Sequence, residues 1–244
     1  MKKDHSKSYA VIFAGGMGSR MEGAQIPKQF LELGGKPIII HTLEHFENHA
    51  EISGVVVVCV ASWIDYFRDL VKKYHLNKIL DVVPGGVTGQ NSIFLGLDAL
   101  NNTLSFNEDP IVLIHDGVRP LIDDATISNC ITSVRTRGCT AIVAPSPETI
   151  IEVSNGRSIN VLDRSVCKFA RAPQGFYFRQ LFEAHSKARE RNLNDFVDSI
   201  SLMSYFGYPI YTVDGPIDNI KITSKQDFFA FKGYMDYKEL EQLW

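Results

Sequence analysis

Residues 9–30 read YAVIFAGGMGSRMEGAQIPKQF, and the fold turns on this stretch. Tyr9, Ala10, Val11, Ile12 and Phe13 form a short apolar run of the length and composition of a buried strand. Phe13 and Ala14 lead straight into Gly15, Gly16 and Gly18, with Arg20 close behind and Lys28 further on. Glycines directly after a strand let the backbone turn tightly and present several N–H groups to one anion. Arg20 and Lys28 add cationic donors that carry no acceptor. Together these residues describe a cradle for a polyphosphate. The loop is neither a dinucleotide fingerprint nor a Walker loop: no G-x-G-x-x-G can be placed on it, and no Gly-Lys-Ser/Thr closes it. The competing reading is an ordinary turn whose cations face solvent.

Outward from this strand, apolar runs alternate with helical patterns. The spacing predicts helices over Ile38–Phe46, Ile64–Tyr74, Ser92–Leu100 and Asp124–Arg137, with strands at Ile79–Val83 and Ile111–His115. Residues 54–60, GVVVVCV, form the continuous β-branched run of a parallel strand covered on both faces. Such alternation predicts an α/β fold, a doubly wound, mostly parallel Rossmann-like sheet with right-handed crossovers. Two short apolar segments, Thr149–Val153 and Ile159–Leu162, break the pattern around Asn155-Gly156, a strong hairpin signal. We expect one domain over 1–244 with a protruding hairpin arm at 148–164. Helices at Phe178–Arg191 and Phe196–Tyr205, a strand at Tyr208–Val213 and a helix from Ser224 complete the chain.

The composition bounds the partners. The chain has 244 residues, 45% hydrophobic and 22% charged, with net charge −3. These values describe an ordinary globular protein with no electrostatic case for nucleic acid or an anionic membrane. Cys59, Cys130, Cys139 and Cys167 are scattered without a C-x-x-C pair, as expected of small apolar residues in a reducing compartment. The apolar run after the polar N-terminus is too short for a signal peptide or membrane span, so a cytoplasmic location is expected.

Ligands of an open α/β sheet lie beyond the carboxyl ends of its strands. Gly85, Gly86 and Gly89 follow one strand and precede a helix starting at Ser92, a backbone surface for a flat ring or phosphate. Asp116 and Gly117 follow another strand, where a carboxylate suits a divalent metal or a ribose hydroxyl, and Arg119 suits a second anionic substrate. Lys221, on an expected strand in Asp218-Asn219-Ile220-Lys221-Ile222-Thr223, suits a phosphate, and Asp218 is a candidate second metal ligand.

The string A-G-G-x-G-x-R-M with P-K-Q-F resembles the signature loop of the cytidylyltransferases that act on alditol phosphates. The resemblance covers nearly the whole chain. His115-Asp116-Gly117-Val118-Arg119-Pro120 is similar to that family's H-D-x-x-R-P, and Asn219-Ile220-Lys221-Ile222-Thr223 to its N-I-K-x-T. The resemblance implies catalytic roles for Arg20, Lys28 and Lys221. It implies nucleotide contacts for Phe13, Ala14, Gly15, Gly16, Gly18, Gly85, Gly86, Ser92, Asp116 and Gly117. Arg119, Thr149, Arg164 and Asp198 fall to the acceptor, with Mg²⁺ at Asp116 and Asp218. It further implies a homodimer in which Arg164 crosses the subunit boundary.

Departures cluster on the acceptor side. Glu148 stands for a shorter acid, Ala172-Pro173-Gln174 for T-P-Q, and Val197-Asp198 for T-D. Gly89 replaces a loop arginine. Two lost hydroxyls remove contacts worth roughly 0.5–1.5 kcal/mol each. The expected substrates are CTP and an alditol phosphate, with ribitol 5-phosphate or a related pentitol phosphate ahead of methylerythritol phosphate. A nicotinamide dehydrogenase is opposed by the missing G-x-G-x-x-G, and a non-catalytic nucleotide-binding regulator by the presence of both Arg20 and Lys28.

Overall fold

A computed structural model describes residues 7–16, 26–103 and 109–241. Gly18 and Arg20 lie outside these residues. The elements are β1 (Ser8–Ala14), β2 (Glu32–Leu33), β3 (Lys36–Pro37), α1 (Ile38–Asn48), β4 (Ile52–Cys59), α2 (Ile64–Lys73), β5 (Ile79–Pro84) and α3 (Gly89–Thr103). They continue as β6 (Ile111–Asp116), α4 (Asp124–Arg137), β7 (Thr140–Pro145), β8 (Ile151–Ser154), β9 (Arg157–Val161) and β10 (Lys168–Tyr177). α5 (Phe178–Glu190), α6 (Ser199–Tyr205), β11 (Tyr211–Asp214) and α7 (Lys225–Glu241) follow.

Side-chain alternation in the central strands builds the layers. Ala10, Ile12, Val55 and Val57 face the core covered by α1, α2 and α4, while Tyr9, Val11, Val56 and Val58 face the core under α3, α5 and α6. A strand sandwiched this way is apolar on both faces, which is why 54–60 reads as an unbroken hydrophobic run. The sheet order is β11-β7-β10-β6-β1-β4-β5. β1 pairs in parallel with both β4 and β6, while β10 runs antiparallel between β6 and β7. The sheet is therefore mostly parallel, with one reversed strand. The chain moves outward through β4 and β5, and α3 then brings it back across β1 to β6. This reversal puts the carboxyl ends of β1 and β6 side by side, where an α/β sheet opens its ligand crevice.

Several boundaries differ from expectation. α3 begins at Gly89, so Ser92 sits in its first turn rather than starting it. α6 begins after Asp198, whose side chain accepts from the Ser201 N–H at 2.9 Å and so delays a helix expected from Phe196. Lys221 is on no strand. Its segment is anchored by Ile222, fully buried with Val118 and Phe231, and by an Ile222 N–H donated to the Val118 carbonyl at 2.9 Å. The hairpin forms as expected, with β8 and β9 antiparallel and both Asn155 (φ 48°) and Gly156 (φ 75°) in the left-handed region. Both of its strands are exposed along their whole length.

Candidate active site

Two cavities open beyond the carboxyl ends of β1, β5 and β6. The first, of about 420 Å³, is walled by Phe13, Ala14, Gly15 and Gly16, by Lys28 and Gln29, and by 86–89 with Ser92. Asp116, Val118 and Lys221 close it. The second, of about 350 Å³, is walled by Ile93, Ile114, Arg119, Ala170, Arg171, Ala172 and Gln174, and by Val197, Asp198 and Ser199. Phe13, Gly89, Asp116 and Lys221 line both, so the cavities meet at these residues.

The glycines permit the first cavity to exist. A Cβ on Gly85 would stand 2.8 Å from the Gly15 Cα, closer than side-chain carbons approach backbone. The β1 and β5 loops therefore touch backbone to backbone, and the Gly85 N–H donating to the Cys59 carbonyl at 2.7 Å ties the β5 loop to the end of β4. The Ser92 hydroxyl accepts from the Gly86 N–H at 3.0 Å and donates to the Thr88 carbonyl at 2.9 Å, which fixes the β5 loop over α3. Gln29, unremarked in the sequence, is buried and donates to the Ala14 carbonyl at 2.7 Å, pinning the β1 loop to the short turn that carries Lys28. Phe30 in that turn stacks on Trp63 with ring centroids 5.1 Å apart.

At the junction the Asp116 carboxylate lies between two cations. Its Oδ1 is 2.6 Å from Lys221 Nζ and its Oδ2 is 2.7 Å from Arg119 Nε. Burial alone would raise the Asp116 pKa, but Lys221 and Arg119 outweigh it and hold the carboxyl down to about 2. Arg119 is further tied to the Asn219 carbonyl at 2.8 Å. His115 is fully buried near the end of β6, and burial pushes its pKa down to about 3. It stays neutral against the Phe46 ring.

Of the expected site residues among those described, Phe13, Ala14, Gly15, Gly16, Lys28, Gly86, Ser92, Asp116, Arg119, Asp198 and Lys221 come together in the two cavities. Gly85 acts behind the wall. Gly117, expected at the nucleotide, is buried beside Asp116 and lines neither cavity of this chain; a Cβ there would meet the Ala14 Cβ at 2.9 Å. Asp218, expected as a second metal ligand, is exposed in the turn before Asn219 and lines neither cavity. No group of three metal-capable side chains occurs among the described residues, and both Asp116 oxygens already face cations. Thr149 and Arg164 lie at the base of the arm, exposed and outside both cavities of their own chain. Arg164 donates to the Pro147 carbonyl at 3.2 Å. Asp198 is engaged by Gln174 at 3.1 Å and by the Ser201 hydroxyl.

Comparison with known proteins gives the family. Residues 8–236 match the family profile described as IspD, 2-C-methyl-D-erythritol 4-phosphate cytidylyltransferase. A Vibrio parahaemolyticus protein named ribitol-5-phosphate cytidylyltransferase is 48% identical over 94% of this chain and 96% of its own length. A Streptococcus agalactiae protein of the same name is 44% identical over 96% and 98%. The crystal structure of 4-diphosphocytidyl-2C-methyl-D-erythritol synthase from Anaerococcus prevotii shares the fold, with a TM-score of 0.81 and 24% identity over 96% of this chain and all of its own. With this match over nearly its whole length, the chain belongs to the 2-C-methyl-D-erythritol 4-phosphate cytidylyltransferase family.

Proposed function

We propose that this chain transfers CMP from CTP to D-ribitol 5-phosphate, giving CDP-ribitol and pyrophosphate. The observation that carries the reading is the junction: a nucleotide-sized cavity and a smaller one share Asp116 and Lys221, so two substrates can meet there. CTP lies in the first cavity on the glycine-lined loops, and its α-phosphate reaches the junction. The acceptor lies in the second with its phosphate at Lys221. An oxygen of that phosphate forms a bond to the α-phosphorus, the bond to the β-phosphate bridging oxygen breaks, and pyrophosphate leaves with the electron pair. The acceptor phosphate is already ionised at neutral pH, so no general base is needed, in keeping with a neutral, buried His115. Lys28 and Lys221, with Arg20, offset the charge that builds on the α-phosphate oxygens. Mg²⁺ enters with the triphosphate as part of the substrate, since magnesium is commonly bound through phosphates and one or two carboxylates.

The same reading includes a homodimer in the cytoplasm. The arm exposes Ile151, Val153, Ile159, Val161 and Leu162, an apolar surface suited to a self-complementary contact. Arg164 and Thr149 would then serve the partner's acceptor cavity. The second reading, 2-C-methyl-D-erythritol 4-phosphate as acceptor, is favoured by the family description. Ala172 and Val197, apolar in the acceptor cavity, weigh against it. Pyrophosphate release measured with CTP, ATP or GTP against a panel of alditol phosphates tests the proposal. We expect CTP with ribitol 5-phosphate to lead and excess chelator to stop the reaction. A higher kcat/KM for methylerythritol phosphate would reverse the acceptor assignment.

A further inference from the structure

We propose that Arg171 and Ser199 read the polyol chain of the acceptor; the inference rests on the acceptor cavity assigned above and names what selects within it. Neither residue belongs to a recognised motif. Both line the second cavity and neither lines the first, so they stand away from the junction where the reacting phosphates meet.

The polar groups around them are already satisfied by protein. Arg119 is held by Asp116 and the Asn219 carbonyl, Gln174 by Asp198 and the Ile200 N–H, and Asp198 by Ser201. Arg171 Nε and Ser199 Oγ are different. Both atoms are buried, and among the described residues neither has a hydrogen-bond partner. Ser199 as a whole is 1% exposed. Buried donors without partners are uncommon and costly, and they call for a ligand or water.

The Arg171 guanidinium lies 5.5 Å over the Phe169 ring, which holds the side chain along the cavity wall. Among the described residues, no carboxylate pairs with it in an ion pair. Burial, and then the charge of neighbouring Arg119, both lower its pKa. An oxygen-rich ligand in the cavity that both residues line offers each group the partner it lacks. A guanidinium fork donates to two neighbouring oxygens, and a serine hydroxyl both donates and accepts, which together match a chain of hydroxyl groups. Ala172 and Val197 in the same cavity carry no hydroxyl, so the polyol has few other side chains to meet.

The test uses the full chain with ribitol 5-phosphate and with glycerol 3-phosphate, which carries the same phosphate on a shorter polyol. Arg171→Met is expected to raise the KM for ribitol 5-phosphate by about 10-fold or more, with kcat less affected and the KM for CTP unchanged. The advantage of ribitol 5-phosphate over glycerol 3-phosphate in kcat/KM should shrink by a similar factor. Arg171→Lys keeps the charge but not the fork and should recover only part of the loss. Ser199→Ala should narrow the same advantage by about 3-fold or more. Equal losses with both acceptors would assign Arg171 to the phosphate instead and overturn the proposal, as would wild-type discrimination in both variants. If Arg171→Met fails to fold by circular dichroism, Arg171→Gln and Ser199→Ala carry the decision. A wild-type enzyme that turns over other alditol phosphates but not ribitol 5-phosphate would overturn the acceptor assignment alone. The same variants would then be read against the best acceptor and a shorter homologue of it.

Discussion

Lys221 Nζ sits 2.6 Å from Asp116 Oδ1, and this contact joins the C-terminal segment to the end of β6 at the point where both cavities meet. Lys221 is placed by its neighbour Ile222 and oriented by Asp116, so the two residues should fail differently. Lys221→Met keeps the stem and removes the charge. It should lower kcat by about 10²-fold while leaving the denaturation midpoint near that of wild type. Asp116→Asn leaves two cations facing a neutral group. With the Arg119 side chain only 11% exposed, it should cost about 3 kcal/mol in urea unfolding. A stable Asp116→Asn protein with normal turnover would show that Asp116 is needed for neither stability nor the orientation of Lys221.

Lys28 lines the first cavity together with Lys221, and Gln29 beside it ties its turn to the β1 loop. Lys28→Met should reduce kcat by about 10²-fold with little change in stability, and Arg20→Ala should do the same. Gln29→Leu would instead loosen the loop and raise the KM for CTP. Steady-state kinetics at varied CTP separates the two outcomes.

Gly85 packs directly on Gly15, so even a methyl group there must push backbone against backbone. Gly85→Ala should weaken CTP binding by more than Gly89→Ala, because a Cβ at Gly89 meets nothing within 4 Å. Equal CTP affinity in both variants, measured by calorimetry, would show that the loop contact is not needed for the nucleotide.

These glycines also show how far the sequence could be read. The β1 loop, the hairpin and the α/β alternation were legible because each rests on local chemistry: glycines after a strand, Asn-Gly between extended runs, period and β-branching. β7 and β10 were not assigned. β10 contains Pro173 and Gly175, both strand breakers: Pro173 falls in the break in the β7 pairing between Ala170 and Gln174, and Gly175 beyond it is paired on both sides, with Leu113 of β6 and Thr140 of β7. Arg171 could not be singled out for the same reason, since its chemistry depends on a strand that local rules reject. The packing of Gly117 on Ala14 is hidden from the sequence in the same way, because that contact is tertiary.

His185 on α5 and His115 on β6 carry a pH prediction. Burial pushes His185 down to about 4 and His115 to about 3. Neither His185 ring nitrogen has a hydrogen-bond partner among the described residues. The folded protein thus keeps both rings neutral, while the unfolded chain protonates them near 6.5. Stability should be full above about pH 7 and fall as the pH drops from there toward 4, because the unfolded state takes up more protons. Asp116, held down to about 2, adds a further loss only as the pH falls below its ordinary value near 4. Urea midpoints at pH 7.5, 5.5 and 4.5 measure the slope. His185→Phe, set beside Phe94 and Phe182, should flatten part of it.

The arm makes the last prediction. Every residue of β8 and β9 is exposed, and Ile151 and Val161 face each other across the hairpin with half or more of each surface open. Arg164, past the end of β9, is also exposed and reaches neither cavity of its own chain. If the arm packs on a second copy, Arg164 completes the partner's acceptor cavity. Arg164→Ala and Lys28→Ala proteins should then each be nearly inactive. Mixed under subunit exchange, their heterodimers hold one site with both lesions and one with neither, and activity should recover toward about half of wild type per heterodimer. An arm folded onto its own chain leaves one lesion in every site, and no recovery appears. Sedimentation at assay concentration is the simpler first measurement, since a monomer there would exclude the shared site.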